Sequence, residues 1–206
     1  MFERFLSAFP VAGANAPVNA DRLAGVAESD FGVSIPDELK EFWGQVGSGY
    51  FGDKVLYFFG DGVSQQPRDS FIDWNKMDFW QGVYPPAKDG GPIFFAETCF
   101  GDQVGFRLEG GKYVYIMFCV DTFDAFVIAN SAMELFEGLL VDKYALLDEV
   151  RFEAVSNKLG GLRSGMHYAP IVSPLLGGSG EVDNFCFETP NVHFRTAIAI
   201  FRAVNA

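Results

Sequence analysis

The chain has 206 residues, a net charge of −12 at pH 7, and a hydrophobic content of 49% that includes 23 phenylalanines. This length and apolar content suit one well-filled core and exclude an intrinsically disordered chain. The acidic charge disfavours direct binding to nucleic acid or to anionic membranes, since both need clustered Lys and Arg. No apolar run approaches the roughly 20 residues of a membrane-spanning helix.

The N-terminal sequence MFERFLSAFPVAGANA predicts a short helix that packs its aromatic side chains, rather than a secretory signal peptide. Glu3 offsets Arg4, and Pro10 interrupts the apolar stretch. A signal peptide instead has a positive start followed by about 7–15 continuous apolar residues. The three cysteines are isolated from one another in sequence, which indicates buried thiols in a reducing compartment. We therefore expect a cytoplasmic protein.

Two further helices are predicted, over residues 20–31 and 36–46, each with apolar side chains at helical spacing. Pro36 suits a first helical turn, and the acidic residues that follow it favour the positive end of the helix dipole. Gly47 and Gly49 can adopt the positive φ that ends a helix. The expected buried face of the second helix consists of Leu39, Phe42, Trp43 and Val46.

Residues 53–60 (DKVLYFFG) predict a strand in which neither face is polar, which indicates a central strand covered on both sides. Residues 63–92 follow with no clean period and with four prolines. We expect this stretch to be a long structured excursion from the sheet that contains one short helix.

Residues 93–107 predict two strands joined by a turn at Gly101–Asp102, and residues 112–120 and 123–129 predict two more. Ser131 and Glu134 have the spacing of a capping box at the start of a helix. The residues that this helix is expected to bury are Met133, Phe136, Leu139 and Leu140.

Residues 147–159 and 191–204 predict two more helices, with a short strand at 185–187 between them. Helices before and after a run of antiparallel strands indicate the α+β class. We expect a single antiparallel sheet of about five or six strands, flanked by N- and C-terminal helices. Residues 1–150 would form the core, and residues 151–206 a C-terminal extension packed on or beside it.

Catalytic chemistry has little support in the sequence. There are two histidines, His167 and His193, and a nucleophilic pair of Cys186 with His193 stays open, although structural roles explain these residues equally well. No metal-ligand spacing is present. The glycine-rich run at 177–180 lacks the lysine of a phosphate-binding loop and is followed by acidic residues. We predict no catalytic residue, no metal site and no cofactor.

A segment rich in acids and aromatics, residues 69–84, is the main candidate for binding a partner. Protein interfaces are enriched in aromatic anchors, and charged rims steer association. The alternative is that the aromatic rings close one side of the sheet while the aspartates are solvated. The candidate partner-binding residues, together with the turn residue Asp102, are Asp69, Asp73, Trp74, Asp78, Trp80, Tyr84 and Asp102.

Two sequence blocks resemble the SUKH superfamily. The first is IPDELKEFWGQVGSGYFG at 35–52, and the second is IFFAETCFGDQVGFR at 93–107, a strand, a Gly–Asp turn and a further strand. The C-terminal run HYAPIVSPLLGGSG, with the final helix, is similar to part of some type VI secretion immunity proteins. The residues that carry the superfamily motifs, with expected structural roles, are Ile35, Pro36, Trp43, Gly47, Gly49 and Gly101.

The SUKH superfamily includes bacterial toxin-immunity proteins and fungal cell-wall regulators. The resemblance therefore implies a non-enzymatic bacterial immunity protein that binds a cognate toxin and covers its active face. The acidic charge fits a basic toxin, such as one that acts on nucleic acid. A regulatory scaffold that binds endogenous partners is the alternative. The sequence does not indicate the oligomeric state.

Overall fold

A six-stranded antiparallel sheet lies at the centre of the computed structural model, which describes residues 2–13, 15–62 and 67–205. Each strand pairs with its neighbours in sequence, so the sheet is a simple meander. This confirms the predicted α+β class and the predicted sheet. The strands are β1 (Gly49–Phe51), β2 (Leu56–Phe58), β3 (Ile93–Thr98), β4 (Gln103–Glu109), β5 (Lys112–Phe118) and β6 (Ala125–Ala129).

Helices surround the sheet, and a two-stranded antiparallel ribbon lies beside it. The ribbon consists of β7 (His167–Pro170) and β8 (Phe185–Glu188). The helices are α1 (Glu3–Ala8), α2 (Ala20–Phe31), α3 (Asp37–Gln45), α4 (Phe71–Asn75), a π-helix (Glu134–Leu139), α5 (Glu149–Leu159) and α6 (Pro190–Val204). None of the helices in the described part of the chain is long and apolar enough to cross a membrane.

One face of the sheet packs against α1, α3 and the π-helix through phenylalanine rings. Phe42 of α3 lies at the centre of this cluster, with ring centroids 4.4 Å from Phe58 of β2 and 5.0 Å from Phe136 of the π-helix. The ring centroid of Phe5 in α1 lies 5.3 Å from that of Phe42. The helical spacing of the aromatic residues in α1 and α3 thus supplies one side of the core.

The opposite face is covered by residues 67–92, which we call the covering segment, and by α6. Trp80 of the covering segment lies 4.8 Å from Phe94 of β3, and Trp74 lies 5.8 Å from Phe59. Phe194 of α6 contacts both tryptophan rings, at 5.1 and 5.2 Å. Phe194 of α6 therefore packs on the covering segment, whereas His167 of β7 reaches the sheet directly, with its Nε2 3.0 Å from the carboxylate of Glu97 on β3. The domain boundary at residue 150 stays a prediction.

The strand predicted over residues 53–60 is wrong in its extent. Only Leu56–Phe58 is a strand, and Gly49–Phe51 forms an unpredicted strand before it. Asp53 and Lys54 adopt positive φ values of 58° and 67°, which no strand residue does. Four of the residues in the predicted excursion, 63–66, lie outside the described part of the chain.

Two other details differ from the sequence-based expectation. Pro36 precedes α3 with an extended ψ of 136° and is not in its first turn. Ser131 caps the next segment through the amide of Glu134, but the segment winds as a π-helix. Met133 precedes this helix as its N-cap and is exposed, whereas Phe136 and Leu140 are buried as expected.

Candidate partner-binding surface

The covering segment folds back on the sheet through short helices that turn its largest rings inward. Ser70 caps α4, since its hydroxyl accepts a hydrogen bond from the amide of Asp73 at 3.1 Å. One turn of α4 then points Phe71 and Trp74 toward the core and Asp73 toward solvent. The segment therefore separates its aromatic side chains from its acidic ones.

Trp74 and Trp80 are buried, with 1% and 9% of their surface exposed, so their interpretation as outward anchors is corrected. The indole of Trp74 donates to the side-chain oxygen of Gln103 at 2.7 Å, and the indole of Trp80 donates to the carbonyl of Trp74 at 3.0 Å. With their polar atoms satisfied and their rings covered by Phe194, these residues close one side of the sheet.

Tyr84 is half-buried and lies against Phe118, with ring centroids 5.2 Å apart. Its hydroxyl is enclosed, and no hydrogen-bond partner for it lies among the described residues. Burial raises the pKa of Tyr84 well above the usual value for a tyrosine. Of the three predicted aromatic anchors, Tyr84 is thus the one whose side chain reaches the surface in part.

The aspartates of the segment occupy different environments. Asp73 and Asp78 are exposed, and Asp78 lies 2.9 Å from the guanidinium of Arg195 on α6. Asp69 is half-buried and accepts a hydrogen bond from the hydroxyl of Tyr57 at 2.8 Å. Asp73 and Asp78 are therefore available to a partner, whereas Asp69 also supports the fold.

Asp102 lies apart from the other candidates, at the turn between β3 and β4. It faces a small cavity of about 150 Å³ with Cys119, Asp121 and Asp148, which no residue of the covering segment lines. Its carboxylate accepts a hydrogen bond from the amide of Val120 at 3.2 Å. The structure thus does not bring Asp102 into one site with the acids of residues 69–84.

A cleft of about 490 Å³ opens between the end of α2, the covering segment and the start of β3. An ion pair between Asp30 and Lys76, at 2.6 Å, lies at the cleft, and Lys88 adds a second cation. The cleft is large enough for an apolar side chain of a partner. Trp80 and Tyr84, both predicted, line it together with residues that the sequence did not mark, Phe31, Pro86 and Phe94.

A buried polar network lies behind the covering segment and was missed by the sequence reasoning, apart from its histidines. Glu97 of β3 is at its centre, with one carboxylate oxygen 2.7 Å from Arg68 and 3.0 Å from Nε2 of His167. Nδ1 of His167 lies 3.2 Å from Nδ1 of His193, whose Nε2 lies 3.3 Å from Asp121. The network joins the covering segment, the sheet and the C-terminal residues.

Burial and charge act against each other in this network. Burial opposes ionisation of Glu97, but the charge of Arg68 together with the contacts of His167 and Gln103 outweighs it and holds the pKa of Glu97 below the usual range. For His167 burial prevails, so its pKa is lowered and the ring is neutral. The described residues leave essentially no free volume beside Glu97 and His167, whose side chains are each 1% exposed. The network acts as an internal support.

His193, the histidine considered for a nucleophilic pair with Cys186, contacts His167 and Asp121. Burial raises the pKa of the Cys186 thiol, which disfavours the reactive thiolate. Within the described residues, no group of three or more His, Cys, Asp or Glu side chains could hold a metal ion.

Comparison with known proteins identifies the family. The model of the SMI1/KNR4 family (SUKH-1) matches residues 21–138, more than half of the chain. The chain belongs to the SMI1/KNR4 family. This confirms the SUKH resemblance of the two sequence blocks, and proteins of the family are generally non-enzymatic and include toxin-immunity proteins and fungal regulators.

The fold also has a solved counterpart. The crystal structure of Atu4351 from Agrobacterium tumefaciens aligns with a TM-score of 0.66 at 16% sequence identity. The alignment covers 96% of this chain and 88% of that one, so the likeness extends beyond the residues that the SMI1/KNR4 model matches. At this identity it concerns the fold alone. The comparison with curated proteins finds no match.

The SMI1/KNR4 motif residues are positioned where side chains or backbones approach closely. Ile35 and Trp43 are buried, and the indole of Trp43 donates to the carbonyl of Phe59 at 2.9 Å. Gly47 has a φ of +88°, and a Cβ there would lie 2.7 Å from the carbonyl oxygen of Ala16. Gly49 instead begins β1.

Gly101 permits the C-terminal histidines to reach the sheet. It has a φ of +90°, and a Cβ atom would lie 2.8 Å from Nδ1 of His167 and 3.0 Å from Nδ1 of His193. The glycine of the Gly–Asp turn in this SMI1/KNR4 protein thus makes room for residues that lie outside the matched range.

Asp102, the second residue of that turn, should make stability fall with rising pH. Burial, reinforced by the charge of Asp121, raises the pKa of Asp102 to about 7, above its unfolded value of about 4. Between about pH 4 and 7 the folded protein therefore keeps a proton on Asp102 that the unfolded chain has released. The free energy of unfolding falls as pH rises through that window. Asp102→Asn should remove the loss while keeping the hydrogen bond from Val120.

The measurement is the unfolding free energy of Asp102→Asn and of the natural protein by urea titration at pH 5, 6, 7 and 8. We expect the free energy of unfolding of the variant, relative to that of the natural protein, to rise by about 1–3 kcal/mol from pH 5 to pH 8. Asp148→Asn, the same change at an exposed residue that lines the same cavity, is the matched control, against which the effect of Asp102→Asn is compared at each pH. A constant difference for Asp102→Asn would contradict the raised pKa.

Proposed function

We propose that this SMI1/KNR4 protein is a bacterial immunity protein that binds a cognate toxin without enzymatic activity. The observation that carries the proposal is the family match over residues 21–138, in a family that includes toxin-immunity proteins. Glu97 and His167 are buried with essentially no free volume beside them, which supports a binding role over a catalytic one. Such a protein would act in the cytoplasm by covering the active face of the toxin.

Charge indicates which kind of toxin fits best. The net charge of −12 favours a basic partner, since opposite charges accelerate association and like charges suppress it. Toxins that act on nucleic acid are basic where they hold their substrate. We therefore infer a basic, nucleic-acid-acting toxin, whose substrate-binding face would be covered.

The binding surface would be the outer side of the covering segment. Asp73 and Asp78 are exposed there and would steer the toxin, while the cleft beside Tyr84 would accept an apolar side chain. Trp74 and Trp80 would contribute by holding this surface on the sheet, because their rings are buried. In this proposal the exposed aspartates bind the toxin, and the buried tryptophans support the surface that carries them.

Co-expression with the product of the adjacent gene tests the function. If that product is a toxin, we expect the host to survive only when this protein is present, and the two proteins to purify as a stable complex. If the product of the adjacent gene is toxic and kills the host even when this protein is present, the immunity role would be contradicted. A harmless neighbour that does not bind would favour the alternative, a regulatory scaffold for endogenous partners.

Charge reversal tests the surface. Asp73→Lys/Asp78→Lys should slow association with that toxin by about ten-fold at low ionic strength, because steering by opposite charge is lost. The difference should shrink at 0.5 M salt, where screening is strong. The association rate is measured by surface plasmon resonance at several salt concentrations.

The control makes the same change in net charge elsewhere. Glu149→Lys/Glu153→Lys alters two exposed carboxylates of α5, outside the covering segment. We expect this variant to slow association less than the Asp73/Asp78 variant. Equal effects of the two variants would show that total charge governs the encounter, and would remove the covering segment from the binding surface while leaving the immunity role intact.

A further inference from the structure

Two histidine rings link the C-terminal residues to the sheet through three contacts in a row. Nε2 of His167 lies 3.0 Å from a carboxylate oxygen of Glu97. Nδ1 of the same ring lies 3.2 Å from Nδ1 of His193, whose Nε2 lies 3.3 Å from a carboxylate oxygen of Asp121. All four ring nitrogens therefore face another polar atom, and this fixes how many protons the two rings must hold.

Each of the three contacts is favourable only when a proton lies between its two atoms. A bare ring nitrogen that faces an ionised carboxylate sets one lone pair against another, and so do two bare Nδ1 atoms. Three contacts thus need three protons, whereas two neutral imidazole rings carry two. With both carboxylates ionised, the pair of rings holds one extra proton and one positive charge.

The surroundings of His167 keep that charge off its ring. The side chain is 1% exposed, and its carboxylate partner, Glu97, already balances the charge of Arg68 at 2.7 Å. Burial lowers the pKa of His167, which opposes a second proton. The extra proton of the pair therefore lies on His193.

The groups around His193 act in both directions. Burial opposes its charge, and so does its place in the first turn of α6, at the positive end of the helix dipole. Asp121, in direct contact after β5, and Asp102, in the turn after β3, favour the charge. Arg151 and Asp148, which line the cavity beside these two carboxylates, lie 3.8 Å apart and offset each other. The direct carboxylate contact and the proton count decide the balance for a charged ring.

We propose that His193 is held as an imidazolium, with Nδ1 donating to His167 and Nε2 donating to Asp121, and that this proton fastens α6 to the turn after β5. When rising pH removes the proton, a lone pair on Nε2 faces the carboxylate and the link is lost. The next residue, Phe194, covers both tryptophans of the covering segment, so a looser α6 would loosen that segment too. The inference does not depend on the proposed function.

Nitrogen-15 NMR of the imidazole rings tests the proton count directly, because the chain has two histidines and therefore two ring systems. At pH 7 we expect both ring nitrogens of His193 to carry protons, and His167 to carry one proton, on Nε2. This measurement uses the natural protein. A His193 ring with a single proton at pH 7 would overturn the proposal, including the case in which the third proton lies on Asp121.

Asp121→Asn tests what holds the proton in place. The amide of the new side chain can donate to a bare Nε2, so the third proton is no longer needed, and we expect His193 to become neutral at pH 7. Asp124→Asn, the same change at an exposed residue of the same turn, should leave the protons of both rings unchanged. A charged His193 ring in Asp121→Asn would contradict the role of this carboxylate.

Hydrogen exchange measures the hold on α6 itself. After correction for the intrinsic exchange rates, amides of residues 193–200 in the natural protein should lose protection about ten-fold from pH 6 to pH 9, as expected for one lost charge-assisted hydrogen bond. The loss should be smaller in Asp121→Asn and unchanged in Asp124→Asn. Protection of α6 that does not fall with pH, or that falls equally in the natural protein and Asp121→Asn, would overturn the proposal.

Discussion

Glu97→Gln is expected to destabilise the protein by about 3–5 kcal/mol. The substitution keeps the shape of the side chain but removes the charge that balances Arg68, whose side chain is 3% exposed. The guanidinium also stacks on the ring of Tyr57, 4.0 Å from its centroid, and donates to the hydroxyl of Tyr50 at 2.7 Å, so it cannot move to solvent. An unbalanced buried charge is the expected result, and its desolvation is not repaid by other contacts.

A double-mutant cycle separates this effect from a general loss of packing. Arg68→Met alone leaves Glu97 unbalanced and should cost a similar amount, but Arg68→Met/Glu97→Gln should be more stable than either single variant. Urea denaturation at pH 7 provides the free energies. Additive losses in the double variant would contradict an ion pair that acts as a unit.

The penalty of Glu97→Gln should also depend on pH. The pKa of Glu97 is lowered in the folded state, so its contribution is complete above the unfolded pKa of about 4.3 and is lost as pH falls below it. Repeating the titration at pH 3.5 should therefore give a smaller difference between the two proteins than at pH 7. The lowered pKa of His167 acts on the natural protein in the same direction, since the unfolded chain binds its proton first as pH falls below about 6.5.

Segments whose pattern is local were predicted well. Ala20–Phe31 is a helix with its predicted bounds, capped by Asn19 and ended by Gly32 at a φ of 68°. The strands within residues 93–118 follow the predicted order and turn. In each case a repeat of apolar residues and a turn residue lie within a few positions of one another, so sequence alone defines the element.

The errors lie where distant residues decide the backbone. Asp53 and Lys54 take positive φ, and each is held by the C-terminal half of the chain. Asp53 pairs with Lys143 at 2.6 Å, and the ammonium of Lys54 donates to the carbonyl of Leu162 at 2.9 Å. The strand at His167–Pro170, which was not predicted, pairs with β8, a strand fifteen or more residues later in the chain. No local pattern contains these partners.

The candidate surface shows the same division. The sequence marked the acids and aromatics of residues 69–84, but it could not decide whether Trp74 and Trp80 face outward or inward. That choice depends on Phe194, more than a hundred residues later, which covers both rings. Likewise, Arg68 and Glu97 look like ordinary charged residues in sequence, and their pairing appears only when the covering segment lies on β3.

Phe42→Ala should lower the free energy of unfolding by about 3–5 kcal/mol and the melting temperature by roughly 10 °C. Phe42 is fully buried in the family-motif helix α3, and the cavity left by its ring would be lined by rings of four other elements, α1, β1, β2 and the π-helix. Because those elements are fixed by the sheet, the cavity cannot collapse fully.

Phe126→Ala provides the matched control, since the same ring is removed from a half-exposed position on β6. At low micromolar concentration it should change the free energy of unfolding by less than about 1 kcal/mol. Thermal and urea unfolding, followed by circular dichroism, compare the two variants. Similar losses would mean that the phenylalanine cluster between α3 and the sheet is not the main source of core stability. A large difference would show that Phe42, on the helix of the first motif block, is needed for the stability of the fold.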